Sequence, residues 1–331
     1  MGDGQRQMLR RGMQRVVERL EAEETSVEPY KDVYRQLLGN HGKMIRASLV
    51  LLFARAQDEE GGGSAARPAT DQALHASIIS GAAAIEMLHL ATLVHDDVLD
   101  DAAIRRNQPT AHTVVGNKAA IYLGDLILSR YMEIMATIAP STEFVRQQAS
   151  TVCEIVGGEL LQESARHNTS IRTDYYGRAI RGKTAALFRL ASQTGVELAA
   201  GVSGANPALL DTAARFGEHL GMAFQIMDDI SDFDLAHDSG KPKLEDISEG
   251  IYTLPVLLGL EAEPAFAKTL ERNDPQLVVD YLQAHPDLIA SSKDAARGHL
   301  TDAKDLLSKT AINPGTAQLL TSLVDKLTKQ L

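Results

Sequence analysis

Tryptophan is absent from this 331-residue chain, cysteine occurs once, and only 5% of the residues are aromatic. The single Cys153 excludes an intramolecular disulfide framework and fits a reducing compartment. With so few aromatic rings, a core has to be built mainly from Ala, Leu, Ile, Val and Met. A surplus of basic residues is also missing: 33 Lys and Arg against 44 Asp and Glu give a net charge of -11. That balance argues against a nucleic-acid-binding role, and any anionic ligand requires its cations to be gathered locally. The start, Met1-Gly2-Asp3-Gly4, lacks the basic then apolar build of a signal peptide, and no uninterrupted apolar run approaches the roughly 18 residues of a membrane span. The expectation is a cytoplasmic protein that meets lipid only through a substrate or product.

Strand-like alternation is scarce, whereas apolar residues recur at helical spacing, as in Leu74, Ile78, Ala82, Ile85 and Leu88, or Leu187, Leu190 and Ala191. The pattern predicts an all-α protein of roughly ten or more helices, residues 1–331 forming one domain with no linker inside it. Asp58 to Asp71, with Gly61-Gly62-Gly63-Ser64 and Pro68, reads as a loop and a surface insertion. Asp234 to Gly250, with Gly240-Lys241-Pro242-Lys243, reads as a charged loop suited to act as a lid.

Against this background stand Asp96-Asp97-Val98-Leu99-Asp100 and Asp228-Asp229-Ile230-Ser231-Asp232, two copies of D-D-x-x-D in apolar, helix-like surroundings. Residues four apart share a helix face, so Asp96/Asp100 and Asp228/Asp232 each present two carboxylates in one direction. Such charges repel by about 4 kcal/mol at an effective dielectric of 20, which calls for cations. Mg²⁺ suits the set, because it takes one or two carboxylates and completes its octahedron with water and phosphate oxygens.

The cations are gathered nearby. His89 precedes Asp96 by nearly two helical turns and so projects near the same face. Arg105-Arg106 follows the first cluster, ahead of Pro109 as the expected helix terminus, and its forked donors suit phosphate oxygens. Lys43 and Arg46 are expected on one helical face, fit for a second diphosphate. Lys183-Thr184 adds an ammonium and a hydroxyl, and Gln225 lies one turn before Asp228.

From about Gly42 to Pro255 the chain resembles the trans-isoprenyl diphosphate synthases, the polyprenyl synthetase family, in its long-chain form. Both aspartate motifs of that family are present with their flanks, Arg105-Arg106 after the first and Phe224-Gln225 before the second. The resemblance implies an all-α isoprenoid-synthase bundle around a deep central cavity, usually dimeric, using three Mg²⁺ ions. It implies that Asp96 and Asp100 bind Mg²⁺ beneath an allylic diphosphate, with Asp228 and Asp232 holding a third ion. Arg105, Lys183 and Lys241 would clamp that diphosphate, and Lys43, Arg46, His89 and Arg106 would hold isopentenyl diphosphate. Thr184 and Gln225 match positions beside the allylic carbon, where oxygen dipoles stabilise a developing cation. Asp97, Asp101, Asp229 and Asp246 would stand behind the ligands.

Product length in this family is limited by side chains along the first motif's helix. Ala91 and Thr92 stand where short-chain enzymes often place aromatics, with Leu88 and Ala84 deeper, so the expected product is hexaprenyl or longer, primed by farnesyl or geranylgeranyl diphosphate. Two departures stand out. His41-Gly42-Lys43-Met44-Ile45-Arg46-Ala47 replaces the common G-G-K-R-x-R-P, and Ile251 replaces a lysine often found before Thr253-Leu254-Pro255. The second resembles some long-chain synthases, certain of which work as heterodimers with a small regulatory subunit, so a homodimer and such a heterodimer both stay open. Other readings are a shorter-chain geranylgeranyl or farnesyl synthase, a class I terpene cyclase and a non-catalytic subunit. The cyclase motif has Ser or Thr where Asp232 stands and Glu where Ala236 stands. Non-catalytic subunits typically lose aspartates that this chain keeps.

Overall fold

The computed structural model of the chain describes residues 3–60, 70–233 and 244–331. The described residues are helical almost throughout, as the apolar spacing predicts. In chain order the helices are α1 (Asp3–Glu21), α2 (Lys31–Gly39), α3 (Ile45–Glu60), α4 (Thr70–Leu99), α5 (Ala111–Val115), α6 (Asn117–Ile138), α7 (Thr142–Glu163) and α8 (Thr173–Ile180). They continue with α9 (Ala186–Ala200), α10 (Pro207–Asp232), α11 (Glu245–Ser248), α12 (Leu254–Ala262), α13 (Ala267–Leu270), α14 (Pro275–Ala284), α15 (Pro286–Lys309) and α16 (Pro314–Thr328). The chain divides into two compact units, one comprising 1–150, 190–214 and 309–321 and the other 151–189, 215–308 and 322–331.

The first unit is organised by α4, whose 30 residues give a rod about 45 Å long. Ala82, Ala84, Ile85, Met87, Leu88 and Val94 are all buried, because the helix is apolar around most of its circumference and is packed on several sides. The segment Ala76–Leu99 has a mean hydropathy of 1.6, long and apolar enough to cross a membrane by length and composition, although the run is not uninterrupted. Glu86 and His89 interrupt the run without cancelling its average, and 61% of its most apolar window is buried in the protein, as in a core helix. His95 clasps α4 to α6: its Nε2 lies 3.2 Å from the Ile121 carbonyl and 3.3 Å from Asp125 Oδ1. Gly124 makes room, since a Cβ there would fall 2.4 Å from His95 Nε2.

Three sequence expectations need correction. Helix α3 reaches Glu60 and α4 begins at Thr70, so helices take up both ends of the stretch read as a loop, whose middle lies outside the described residues. The first aspartate helix stops at Leu99 rather than at Pro109. Asp101 adopts φ 50 and the Ala102 amide reaches back to the Asp97 carbonyl at 3.0 Å, a Schellman-type stop with Asp in the left-handed position usually held by glycine. Ile104–Arg105 then pairs with Gln108–Pro109 in a minimal hairpin, turned by Arg106 (φ 51) and Asn107 (φ 61). Finally, α3 starts at Ile45, so Lys43 precedes it and does not share a helical face with Arg46.

In the second unit the apolar core includes Ile180, Ile226, Leu257, Leu260 and Val278. Between α8 and α9, Arg181–Ala185 forms a π-helical turn, a wide turn that displaces side chains from regular α-helical positions. Two glycines bring α7 against it: a Cβ on Gly158 would lie 2.2 Å from the Lys183 nitrogen, and one on Gly182 would lie 2.8 Å from the Glu154 carbonyl.

Candidate active site

The first aspartate cluster sits at the C-terminal end of α4. Asp96 is half-buried and Asp100 is exposed, while Asp97 turns inward and is 4% exposed. Burial raises the Asp97 carboxyl above its usual range, and the Arg105 guanidinium opposes that shift. Arg105 Nε donates to Asp97 Oδ1 at 2.6 Å. The hairpin turn sends its neighbour elsewhere: Arg106 donates to the Asn40 carbonyl at 2.6 Å. The adjacent arginines therefore serve two different places.

Arg106 belongs to a cationic nest with Arg46 and His89. A depression there is lined by His41, Gly42, Glu86, His89, Leu93 and Arg106. Arg46 is buried, and burial lowers its pKa to about 10 against the attraction of Glu86. Glu86 Oε1 also accepts the Ala47 amide at 2.9 Å, satisfying one of the amides that a helix start leaves unpaired. Where many sequences of this type have proline, Ala47 thus supplies a donor. His89 is held well below its usual pKa by burial and then by Arg46, Arg106 and Arg105, so its imidazole is neutral. Gly42 has to be small, because a Cβ would fall 2.5 Å from an Arg106 amine. Arg46, His89 and Arg106 are brought together as expected, whereas Lys43 points to solvent from the stretch before α3. Glu86 was missed, although its position three residues before His89 on one helix face is a readable signal.

The second cluster forms the last turn of α10. Asp228 is exposed, Asp232 is half-buried and Asp229 is 5% exposed. The hydrogen-bond partners of Asp229 are neutral groups. Its Oδ1 accepts Gln225 Nε2 at 2.7 Å and its Oδ2 accepts the Tyr176 hydroxyl at 2.5 Å. Burial pushes it up to about 7 against those two donors. Asp246 is pushed up to about 8, by burial first and then by Asp229 and Asp232. Thr184, carried inward by the π turn, donates to Gln225 Oε1 at 2.5 Å. Lys183 pairs with Glu159 at 3.0 Å, and Asp232 Oδ1 accepts the Leu244 amide at 2.8 Å. Tyr176 and Glu159 are partners that the sequence reading did not include. Lys241 lies outside the described residues.

A divalent ion fits the donor chemistry: Asp96, Asp100, Asp228 and Asp232 offer only hard carboxylate oxygens, and none of the four is buried. No three His, Cys, Asp or Glu side chains among the described residues already converge on a common point. A hard ion that draws most of its shell from water and phosphate needs no such cage. Along α4, Ala84, Leu88 and Ala91 are buried, and Thr92 is half-buried with its hydroxyl bonded to the His89 carbonyl at 2.8 Å.

Residues 27–280 match the family model described as polyprenyl synthetase. Among curated proteins the chain is 39% identical over 181 residues to an all-trans-nonaprenyl-diphosphate synthase (geranyl-diphosphate specific) of Rhodobacter capsulatus, a match covering 54% of each. The matched stretch thus spans about half the length of that relative. It is also 37% identical over 253 residues to heptaprenyl diphosphate synthase component 2 of Geobacillus stearothermophilus, covering 75% of this chain and 72% of that one. Among solved structures, a polyprenyl synthase from Caulobacter crescentus CB15, complexed with calcium and isoprenyl diphosphate, superposes with a TM-score of 0.80 at 25% identity, covering 99% of this chain and 96% of that one.

Proposed function

The chain belongs to the polyprenyl synthetase family, and from that premise we propose that it is a long-chain (E)-polyprenyl diphosphate synthase. It condenses isopentenyl diphosphate head-to-tail onto an allylic diphosphate such as farnesyl or geranylgeranyl diphosphate, with the whole chain acting as one catalytic domain. The observation that carries the reading is the nest of Arg46, His89 and Arg106 in the same unit as a carboxylate cluster: an anion site beside a cation site.

In this reading Asp96, Asp100, Asp228 and Asp232 would hold divalent ions, three Mg²⁺ in the family pattern, which when bound would neutralise the leaving diphosphate. Arg105 and Lys183, with Lys241, bind the same diphosphate through charge-assisted donors. The allylic C–O bond breaks, and diphosphate leaves with the electron pair. Thr184 and Gln225 turn oxygen dipoles toward the resulting cation. Arg46 and Arg106, with Lys43 at the rim, hold isopentenyl diphosphate while its double bond supplies the electrons of the new C–C bond. The proton then lost goes to the departing diphosphate. Neutral His89 donates one N–H to the bound anion.

Ala91 and Thr92, with Ala84 and Leu88 deeper along α4, are small enough or placed deep enough to let the product grow to hexaprenyl length or beyond. The working assembly is a homodimer or a heterodimer with a small regulatory subunit, and the protein acts in the cytoplasm. Purified alone with Mg²⁺, isopentenyl diphosphate and farnesyl diphosphate, the chain should yield polyprenyl diphosphates whose length is read by chromatography. No condensation with any allylic primer would sink the stand-alone enzyme, and activity restored by a partner would establish the heterodimer. Thr92→Phe should shift products to shorter chains; an unchanged distribution removes Thr92 from the length determinant.

A further inference from the structure

Tyr176 on α8 is 8% exposed, and it ends a continuous line of side-chain hydrogen bonds. Its hydroxyl donates to Asp229 Oδ2 at 2.5 Å, Gln225 Nε2 donates to Asp229 Oδ1 at 2.7 Å, and Thr184 Oγ1 donates to Gln225 Oε1 at 2.5 Å. Three elements of one unit contribute: α8, the π turn and α10.

The line has a direction, and Asp229 sets it. Ionised, with Oδ2 taken by Tyr176 and Oδ1 by Gln225, Asp229 only accepts, whereas a primary amide has one accepting and one donating end. Turning the Gln225 amide around would press its oxygen against the Asp229 oxygen now 2.7 Å from its nitrogen, acceptor against acceptor. The amide oxygen is therefore fixed toward Thr184. Thr184 has a single hydroxyl proton, which that oxygen takes. What the Thr184 oxygen can offer any other neighbour is lone pairs. If Asp229 were free to rotate, the amide could reverse at little cost, and the hydroxyl could then offer its proton instead.

We propose that Tyr176 is a positioning residue: by pinning Asp229 it fixes the polarity of the Gln225–Thr184 pair, so that Thr184 presents lone pairs to the carbon that becomes cationic. The inference rests on the prenyltransferase reading and adds to it a reason for a buried tyrosine distant from the metal ligands in sequence. A tyrosine that merely fills the core would support substrate and cation alike. One that sets polarity discriminates between them.

Calorimetry with two probes separates these cases in the full chain with Mg²⁺. One probe is a 3-aza analogue of the farnesyl chain, whose protonated amine mimics the allylic cation, presented with inorganic diphosphate. The other is the uncharged-tail farnesyl thiolodiphosphate. Tyr176→Phe keeps the ring and removes the donor; it should weaken the ammonium probe about tenfold, the worth of one hydrogen bond, while the thiolodiphosphate stays within about twofold. Turnover should fall with KM nearly unchanged. Asp229→Asn keeps the shape but has one donating end, and should reproduce the selective loss even if the tyrosine variant folds poorly. Equal weakening of both probes, or no change in either, overturns the positioning role while leaving the enzyme reading intact. Wild-type protein that binds neither probe overturns the enzyme reading and this inference with it.

Discussion

The two D-D-x-x-D clusters are nearly the same in sequence and differ in how each buries its second aspartate. Asp97 and Asp229 are 4% and 5% exposed, and burial raises both carboxyls. Asp97 is matched by a charge, the Arg105 guanidinium, whereas Asp229 is matched by two neutral donors, Tyr176 and Gln225. Both motifs close their helices, α4 stopping at Leu99 and α10 at Asp232, and the difference follows from what reaches each. After the first, the chain turns through a hairpin and brings Arg105 back within reach. The buried aspartate of the second takes its donors from α8 and from the preceding turn of its own helix. A charge partner compensates strongly and can be shared with a ligand, while neutral donors compensate less and fix direction. This contrast fits Arg105 to a leaving anion and Gln225–Thr184 to a developing cation.

The comparison breaks first at the leading carboxylates, neither of them buried, where the clusters should behave alike. Asp96→Asn and Asp228→Asn should each lower turnover by about 10³-fold, with a raised Mg²⁺ requirement in steady-state kinetics. A loss confined to one of them would mean that only one cluster carries metal.

The buried partners should then diverge. Arg105→Gln leaves Asp97 without its charge partner and should cost about 2 kcal/mol in denaturant unfolding, reduced from the cost of a fully buried pair because Arg105 is partly exposed. Arg105→Lys should recover part of the stability but less of the activity, since an ammonium lacks the fork.

A pH series sharpens the contrast further. The Asp229 and Asp246 carboxyls are raised to about 7 and about 8, so the folded protein holds protons that the unfolded chain releases near pH 4. Because the unfolded state then binds fewer protons, stability of the metal-free protein should fall as pH rises from about 4 to about 8. Asp246→Asn should flatten that slope more than Asp97→Asn does. The smallest effect is expected at Lys43: Lys43→Gln should raise KM for isopentenyl diphosphate by less than about threefold, because the side chain is exposed. His89→Ala, inside the nest, should exceed it.

Much of the site was legible because its chemistry is local. Asp96/Asp100 and Asp228/Asp232 follow from helical spacing, and His89 lines up with the first pair by the same rule. Arg105 and Arg106 were visible as a pair, and the family resemblance sent them to two different ligands; the spacing alone did not, because Arg106 and Asn107 turn the chain at positive φ. Lys43 was misplaced on a helix for a related reason: Met44 adopts φ 47, and the helix begins only after it. Glu86 was overlooked because a lone acid in an apolar run has no partner in the sequence, and its partners Arg46 and Ala47 lie about forty positions away.

Composition and periodicity alone determined that the protein is all-helical, that its core is aliphatic and that each aspartate cluster presents two carboxylates in one direction. Those properties depend on residues within a turn or two of one another, which a linear reading captures. Tertiary structure decided which aspartate of each cluster is buried, what compensates it and which way the amide of Gln225 points. These depend on donors from other helices, Tyr176 from 53 positions away and Thr184 from 41, and their direction follows from how a carboxylate, an amide and a hydroxyl must share their protons.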